Sequence, residues 1–345
     1  MRAAPNAVDR PVWPGTIGPS SGTPKRQRGS VRRTSTVDIM FPDGPSELVL
    51  RGRARDLVTR HDGATGVIDE ASTHVRVDLT ERAVRSIDVI PKEWQIAASE
   101  LVDCPVGSRF RRSLERVMPG PATRGTTLGL LLDEVPVATL IAGASLGRRR
   151  LIPVSSQGRR VAPLTGVCAG WIPDGMMVRA IENGETPFMG EGPPAPALGD
   201  PSDPKGWHVV DHLTAGSMRR WRRLDLRPSE EPGDPLVADV LFRDSYVEPA
   251  GDESVVHEYR ITAEISSEGA VRAIAAVPHV LPGPDCPVAA DSAQRLVGMP
   301  LEDVRRHVRD EFTGTSTCTH LNDALRSLGD LAHLMQYVTN VPVLE

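Results

Sequence analysis

The residues best suited to chemistry lie near the C-terminus, in the stretch 312–335. Cys318 and His320 stand one residue apart, with Thr317 or Thr319 as the expected helix N-cap. An apolar stripe at helical spacing follows them: Leu321, Leu325, Leu328, Leu331 and Met335. The N–H groups of a first helical turn are unpaired and carry the positive end of the helix dipole, which lowers a thiol pKa and attracts anions. The sequence therefore predicts a thiol–imidazole site where this helix begins.

One interpretation of this site is an enzyme that acts on a small anionic organic molecule. Cys318 would then be the nucleophile or acid and His320 the base. Asp323, in the first turn of the same helix, is a further candidate catalytic residue. Arg243 would anchor the anion. The residue types support this chemistry but name neither a substrate nor a reaction.

Two other interpretations remain open on the same residues. In a metal or iron–sulfur binding protein, Cys286, Cys318 and His320 would bind a soft metal, with Asp291 or His279 as a fourth ligand. In a non-catalytic binding or scaffold protein the cysteines only pack, because a buried free cysteine commonly behaves as a small hydrophobic residue. The sequence does not identify a cofactor.

Composition narrows the class of protein. A formal net charge of −5 argues against a nucleic-acid partner. No apolar run is long enough to span a membrane, and the N-terminal stretch lacks the hydrophobic segment of a signal peptide. The four cysteines are scattered, which is not the pattern of a disulfide framework: Cys104, Cys168, Cys286 and Cys318. We therefore expect a reduced, cytoplasmic protein that binds neither nucleic acid nor membrane.

Strand and helix patterns occur in the same order twice. Strand patterns followed by helical patterns are first found at 31–40, 47–59, 66–79, 83–90, 92–102 and 107–117. An apolar stretch begins at Thr126. The second series has strand patterns from Leu224 and at 236–247, 254–265 and 270–280, then helical patterns at 289–312 and 319–335. A sheet followed by helices that bury one of its faces is an α+β arrangement.

The two series also share residues at a near-constant offset. Ser30-Val31-Arg32-Arg33 corresponds to Ser217-Met218-Arg219-Arg220, and Arg55-Asp56 to Arg243-Asp244. Opposite Cys318-Thr319-His320 the first series has Gly125-Thr126-Thr127. We therefore predict an α+β fold of two tandem repeated units, each a mainly antiparallel sheet covered by C-terminal helices. The units would form a pseudo-dimer within the chain, and only the second would keep the site.

This division gives the expected domain boundaries. They are a disordered arm at 1–29, unit 1 with a degenerate site at 30–144, a Pro/Gly-rich connection at 145–216, unit 2 with the candidate site at 217–335, and a tail at 336–345.

The motifs of the second unit resemble a known family. FRDSY, VVHEY, AVPHVLPGPDCPVAADSAQRLVGMP and FTGTSTCTHLNDALRSL resemble the bacterial domain-of-unknown-function family 2889, in its longer actinobacterial form. GSVRRTSTVDIMFPDG resembles the start of the same family, so the resemblance spans Gly22–Leu334 and implies no activity. The C-terminal half also resembles the IscU-type iron–sulfur scaffold, which implies a shared topology. The scaffold's first cysteine has no counterpart in Glu248–Glu253.

Overall fold

The computed structural model describes residues 15–107, 109–120, 124–149, 165–183, 192–229 and 236–339. The strands within these ranges are β1 (Ser30–Met40), β2 (Glu47–Thr59), β3 (Thr65–Asp78), β4 (Ala83–Ile90), β5 (Met218–Arg227), β6 (Leu236–Val247), β7 (Glu253–Ile265) and β8 (Val271–Val280). They form one eight-stranded antiparallel sheet in the order β4-β3-β2-β1-β5-β6-β7-β8. The predicted combination of α+β content with an antiparallel sheet is confirmed.

The sheet consists of two four-stranded meanders that meet at its centre. Strands β1 and β5 pair antiparallel, from Val31 opposite Leu226 to Ile39 opposite Met218. Each meander then continues outward through consecutive hairpins. The strand order is therefore the same in both halves, while the origin of the two halves as a repeat stays a prediction.

Alternating hydrophobicity predicted most of the strands closely. In β3, Val75 and Val77 are buried and the residues between them are partly exposed, as period-2 alternation requires. The exception is β5. The pattern predicted a start at Leu224, but the strand begins at Met218. Its first residues are basic, and these arginines are buried in ion pairs.

The helices follow each meander. They are α1 (Gln95–Ser99), α2 (Phe110–Val117), α3 (Thr127–Asp133), α4 (Val135–Arg148), α5 (Met176–Glu182), α6 (Leu301–Glu311), α7 (Thr319–Arg326), α8 (Leu331–Leu334) and α9 (Gln336–Thr339). The pattern at 319–335, predicted as one helix, is interrupted by a 3-10 turn over Ser327–Asp330. This turn contains Gly329, a weak helix former that lies against the Leu301 carbonyl.

Two apolar clusters combine strand and helix residues. The first joins β1–β4 to α1–α4, and includes Leu50, Val75, Leu101 and Leu131. The second joins β5–β8 to the 3-10 helix Pro287–Leu296 and to α6–α8. Within the described ranges no single helix is long and apolar enough to cross a membrane. Together, α3 and α4 have the length and apolar composition of a membrane span, but the two helices are bent by 47° relative to each other.

Two segments without strands or α-helices also contact the sheet. Residues 15–29 are part of the predicted arm, yet Gly18 donates to the His279 carbonyl and Gly22 to the Ala197 carbonyl, each at 2.9 Å. Residues 1–14 of that arm lie outside the described ranges. Residues 192–209 of the predicted connection place Trp207 and Leu198 against Leu241 of β6.

Candidate functional site

The helix α7 begins at the Cys318–His320 stretch, where the helical pattern predicted a helix start. The N-cap is Cys318 itself and not a threonine, and no side chain caps the helix. The backbone N–H groups of His320 and Leu321 lie near the Cys318 sulfur and act to lower the thiol pKa, without forming a capping hydrogen bond. Burial nevertheless raises the pKa of the Cys318 thiol to about 11, because the side chain is only 5% exposed. The lowered pKa expected from the helix start alone is therefore wrong, since desolvation outweighs the amide dipoles.

A thiol, an imidazole and a carboxylate stand in a line at this helix start. The Cys318 sulfur lies 3.9 Å from Nδ1 of His320. The other ring nitrogen of His320, Nε2, lies 3.8 Å from Oδ2 of Asp244 on β6. Burial, aided by the charge of Arg220, lowers the pKa of His320 to about 3. His320 is therefore neutral near pH 7, and one of its nitrogens is a free electron-pair donor.

His257 of β7 stacks on His320. The ring centroids are 3.6 Å apart and the planes differ by 16°. Asp244, His257 and His320 are, within the described ranges, the set of three metal-ligating side chains whose ligand atoms all lie within 4.8 Å of one another. Nδ1 of His257 and Nε2 of His320 have no hydrogen-bond partner.

This set is nevertheless a poor cage for a cation. An imidazole binds a metal along the lone pair in its ring plane, and two rings stacked nearly parallel direct their lone pairs past each other. Asp244 is also occupied, because its Oδ1 accepts from Nε of Arg220 at 2.9 Å. The two histidines would have to rotate, and Asp244 would have to leave Arg220, before one ion could bind all three.

Arg220 joins the site to the interior of the protein. Besides Asp244, its guanidinium bonds Oε2 of Glu134 at 3.0 Å and Oδ2 of Asp323 at 2.7 Å. All four side chains are at most 3% exposed. Burial acts to raise the pKa of Asp323, but the charges of Arg220 and Arg222 outweigh it, so this pKa lies below its usual value. Asp323, a predicted catalytic residue, is held in ion pairs with Arg111, Arg220 and Arg222.

Arg243 lies on the other face of the sheet. Because Arg243 and Asp244 are consecutive strand residues, their side chains point in opposite directions. The guanidinium of Arg243 bonds Oε2 of Glu258 at 2.6 Å, the Pro196 carbonyl at 2.7 Å and the Ser20 carbonyl at 2.5 Å. It therefore does not reach a molecule held at Cys318, and its observed role is to fix the segments around Ser20 and Pro196 to the sheet.

Neither of the predicted fourth ligands lies at the thiols. Nδ1 of His279 donates to the Gly18 carbonyl at 2.8 Å and lies 3.5 Å from Oε1 of Glu258, on the face occupied by Arg243. Asp291 is exposed on the 3-10 helix Pro287–Leu296. A metal-binding role for Cys286, Cys318 and His320 stays a prediction.

Two further cysteines, Cys286 and Cys168, are buried near Cys318. Burial raises the pKa of Cys286, and the charges of Cys318 and Cys168 add to the rise. Cys168, which the sequence placed in the connection, comes to the site ahead of the short 3-10 helix Ala169–Trp171. The Tyr259 hydroxyl, fully buried on β7, forms no well-aligned hydrogen bond, and burial and the three sulfurs raise its pKa.

The corresponding place in the first half is built differently. Where β6 and β7 pair Asp244 with His257, β2 and β3 pair Asp56 with Asp69. Oδ2 of Asp69 accepts from the backbone N–H of Thr127 at the start of α3, at 2.8 Å. A carboxylate thus accepts from this helix start, and Gly125 and Thr127 stand where the second half has Cys318 and His320.

Comparison with known proteins gives one match. Residues 218–334 match the model of a family described as protein of unknown function (DUF2889). The match covers β5–β8 and the helices to the end of α8, and so includes Cys286, Cys318 and His320. No curated protein and no solved structure matches the chain. The predicted family is supported over this span, while its extension towards the N-terminus, the actinobacterial form and the likeness to an IscU-type scaffold stay predictions.

Proposed function

We propose that the chain binds a soft divalent metal ion such as Zn²⁺ through Cys318, His320 and Cys286. The spacing of Cys318 and His320 carries this proposal. Their sulfur and Nδ1 are 3.9 Å apart, and two ligands of one tetrahedral zinc are roughly 3.6 Å apart. Only a small closure is needed for both atoms to bind one ion.

The surroundings of His320 support the same role. A metal-binding histidine usually directs its second ring nitrogen at a carboxylate, which fixes the ring and strengthens the ligand. Nε2 of His320 faces Oδ2 of Asp244 at 3.8 Å. Because the pKa of His320 is about 3, no proton competes with a metal ion for Nδ1 near neutral pH. Unpaired thiols also suit a reducing compartment such as the cytoplasm.

Metal content tests the proposal. Protein purified without oxygen and given excess Zn²⁺ is expected to retain one ion per chain after gel filtration. Cys318→Ser is expected to lose this ion, because a hydroxyl is a far weaker ligand for a soft metal than a thiolate. The measurement is elemental analysis of the filtered protein.

The matched control is Cys104→Ser. Cys104 is also a free cysteine, but it packs in the cluster of the first half. Its variant is expected to keep the ion. Wild-type protein that leaves the column without metal, or a Cys318→Ser protein that keeps as much metal as wild type, would refute the proposal.

A second candidate function is an enzyme that uses Cys318 as a nucleophile. The line of Cys318, His320 and Asp244 favours it, because a base oriented by a carboxylate activates a nucleophile in this arrangement. His320 would take the thiol proton and so hold Cys318 as a thiolate beside a small anionic substrate. The raised pKa of Cys318 works against this candidate, since the thiol is protonated near pH 7 without help from the base.

Alkylation separates the two candidates. In metal-free protein, an enzyme nucleophile at Cys318 would react with iodoacetamide faster than the partly exposed Cys104, and His320→Asn would slow it. A buried metal ligand would react more slowly than Cys104, and Zn²⁺ would block the reaction. We expect the second result, measured by peptide mass spectrometry after timed labelling.

We also propose that the two halves of the sheet are duplicated units paired as an internal pseudo-dimer. Ion pairs across the β1–β5 seam support this origin. Arg32 bonds Asp225 at 2.5 Å, and the corresponding Arg219 bonds Asp38 at 2.5 Å. Within the halves, Arg33 likewise bonds Asp56 as Arg220 bonds Asp244. Such reciprocal contacts are what a two-fold axis between identical units would produce.

A further inference from the structure

The segment that precedes α5 is attached to the start of α7. The backbone N–H of Ala169 donates to the Thr317 carbonyl at 2.8 Å, one residue before Cys318. The backbone N–H of Thr319 lies near the Cys168 sulfur and acts to lower its pKa. Cys168 and Cys318 therefore both lie beside the first turn of α7.

The same segment also touches Cys286. A Cβ atom added to Gly170 would lie 2.8 Å from the Cys286 sulfur, so only glycine leaves room for the thiol there. The backbone N–H of Gly283 lies near the Cys286 sulfur and acts to lower its pKa. Each of the three sulfurs thus faces at least one amide donor, and hydrogen bonds from amides to sulfur are the means by which proteins stabilise metal-bound thiolates.

The three thiols and Tyr259 lie in one buried region, but among the described side chains no three of the thiol sulfurs and the His320 nitrogen lie within 4.8 Å of one another. Burial raises the pKa of Cys318, with the charge of Cys168 as the next contribution. The Tyr259 hydroxyl is 0% exposed, lacks a well-aligned partner and is influenced by all three sulfurs. A buried hydroxyl in this state is a donor in need of an acceptor, and a metal-bound thiolate supplies one.

We infer that Cys168 is the fourth ligand of the proposed metal centre, which becomes a Cys168, Cys286, Cys318 and His320 site. This inference rests on the proposed metal function. Three cysteines and one histidine are a complete tetrahedral set for a structural zinc ion, with no position left for water or substrate. Binding would draw the donor atoms to about 3.4–3.8 Å from one another. The ion would then fasten the connection between the two halves to the start of α7.

Co²⁺ binding tests the fourth ligand. Thiolate-to-cobalt charge-transfer absorption grows with the number of thiolates bound, so metal-free protein titrated with Co²⁺ reports the ligand count. Wild type is expected to show the absorption of three thiolates. Cys168→Ser should still bind Co²⁺ but lose about one third of this absorption. Cys104→Ser should match wild type.

The outcomes separate the two proposals. Wild type without any charge-transfer band refutes the metal function and the fourth ligand together. A Cys168→Ser spectrum equal in intensity to wild type refutes only the fourth ligand, since Cys286 and Cys318 would then be the thiolates observed. To detect misfolding, the thermal unfolding midpoints of wild type and Cys168→Ser are compared in EDTA. Equal midpoints are expected. The increase in midpoint on adding Zn²⁺ should be smaller in Cys168→Ser, because a weaker site stabilises the native state less.

Discussion

Arg220→Met is expected to lower the free energy of unfolding by roughly 3–5 kcal/mol. Its guanidinium faces Asp244, Glu134 and Asp323, all nearly inaccessible to water. Removing the cation leaves buried carboxylates with less compensation, and a buried unpaired charge costs several kcal/mol. Urea unfolding followed by circular dichroism measures the loss.

The matched control is Arg306→Ala. Arg306 also pairs with an aspartate, Asp303, but is 65% exposed, so its removal should cost about 0.3–0.5 kcal/mol. Arg220→Lys keeps the charge and loses the forked geometry of the guanidinium. Its loss of free energy of unfolding should lie between those of Arg220→Met and Arg306→Ala. If Arg220→Met cost no more than Arg306→Ala, the network would not contribute to stability. If it prevented folding, the Arg220→Lys value would supply the test.

The second large effect is a loss of stability in mild acid. Burial lowers the pKa of His208 and His320 to about 3 and that of His257 well below its usual value. Above pH 6.5 these groups are neutral in both states. As the pH falls from 6.5 towards 3, these histidines bind protons in the unfolded chain but not in the folded chain. Each histidine should then remove up to about 1.4 kcal/mol of stability per pH unit.

Unfolding of metal-free protein at pH 7.5, 6.5 and 5.5 measures this slope. His208 is remote from the proposed centre and hydrogen-bonds Thr34 and Thr36, so His208→Gln isolates one contribution. It should reduce the slope by about one third. His212→Gln is the control, because His212 is exposed and contacts water in both states. Stability that stayed constant from pH 7.5 to 5.5 would contradict the buried, neutral state of these histidines.

Local sequence patterns predicted the strands because each is decided by residues that are neighbours in the chain. The bounds of β2, β4 and β6 agree with the alternation of apolar residues. β5 was predicted to start too late because Arg219, Arg220, Arg222 and Arg223 hide the alternation. Arginine is rarely buried unless paired, and Glu134, a partner of both Arg220 and Arg222, lies in a distant segment.

The candidate site was predicted only where its residues lie close in sequence. Cys318 and His320 could be placed at a helix start from the spacing of the leucines that follow. Asp244 and His257 were missed because only the register of β6 against β7 brings them opposite each other and under α7. Cys168 was missed because the Pro- and Gly-rich stretch around it carries no periodic signal, and its position depends on the hydrogen bond between Ala169 and Thr317.

The seam between β1 and β5 has a consequence for quaternary structure. A chain reduced to residues 218–334 would have β5 as an edge strand, with unpaired N–H and C=O groups where β1 now lies. Two such chains would be expected to pair through β5 into a symmetric homodimer with two thiol sites. In the present chain β1 occupies this edge instead, so the sheet carries one region of buried thiols. At the corresponding place in the first half, Asp69 accepts from Thr127 and holds the start of α3.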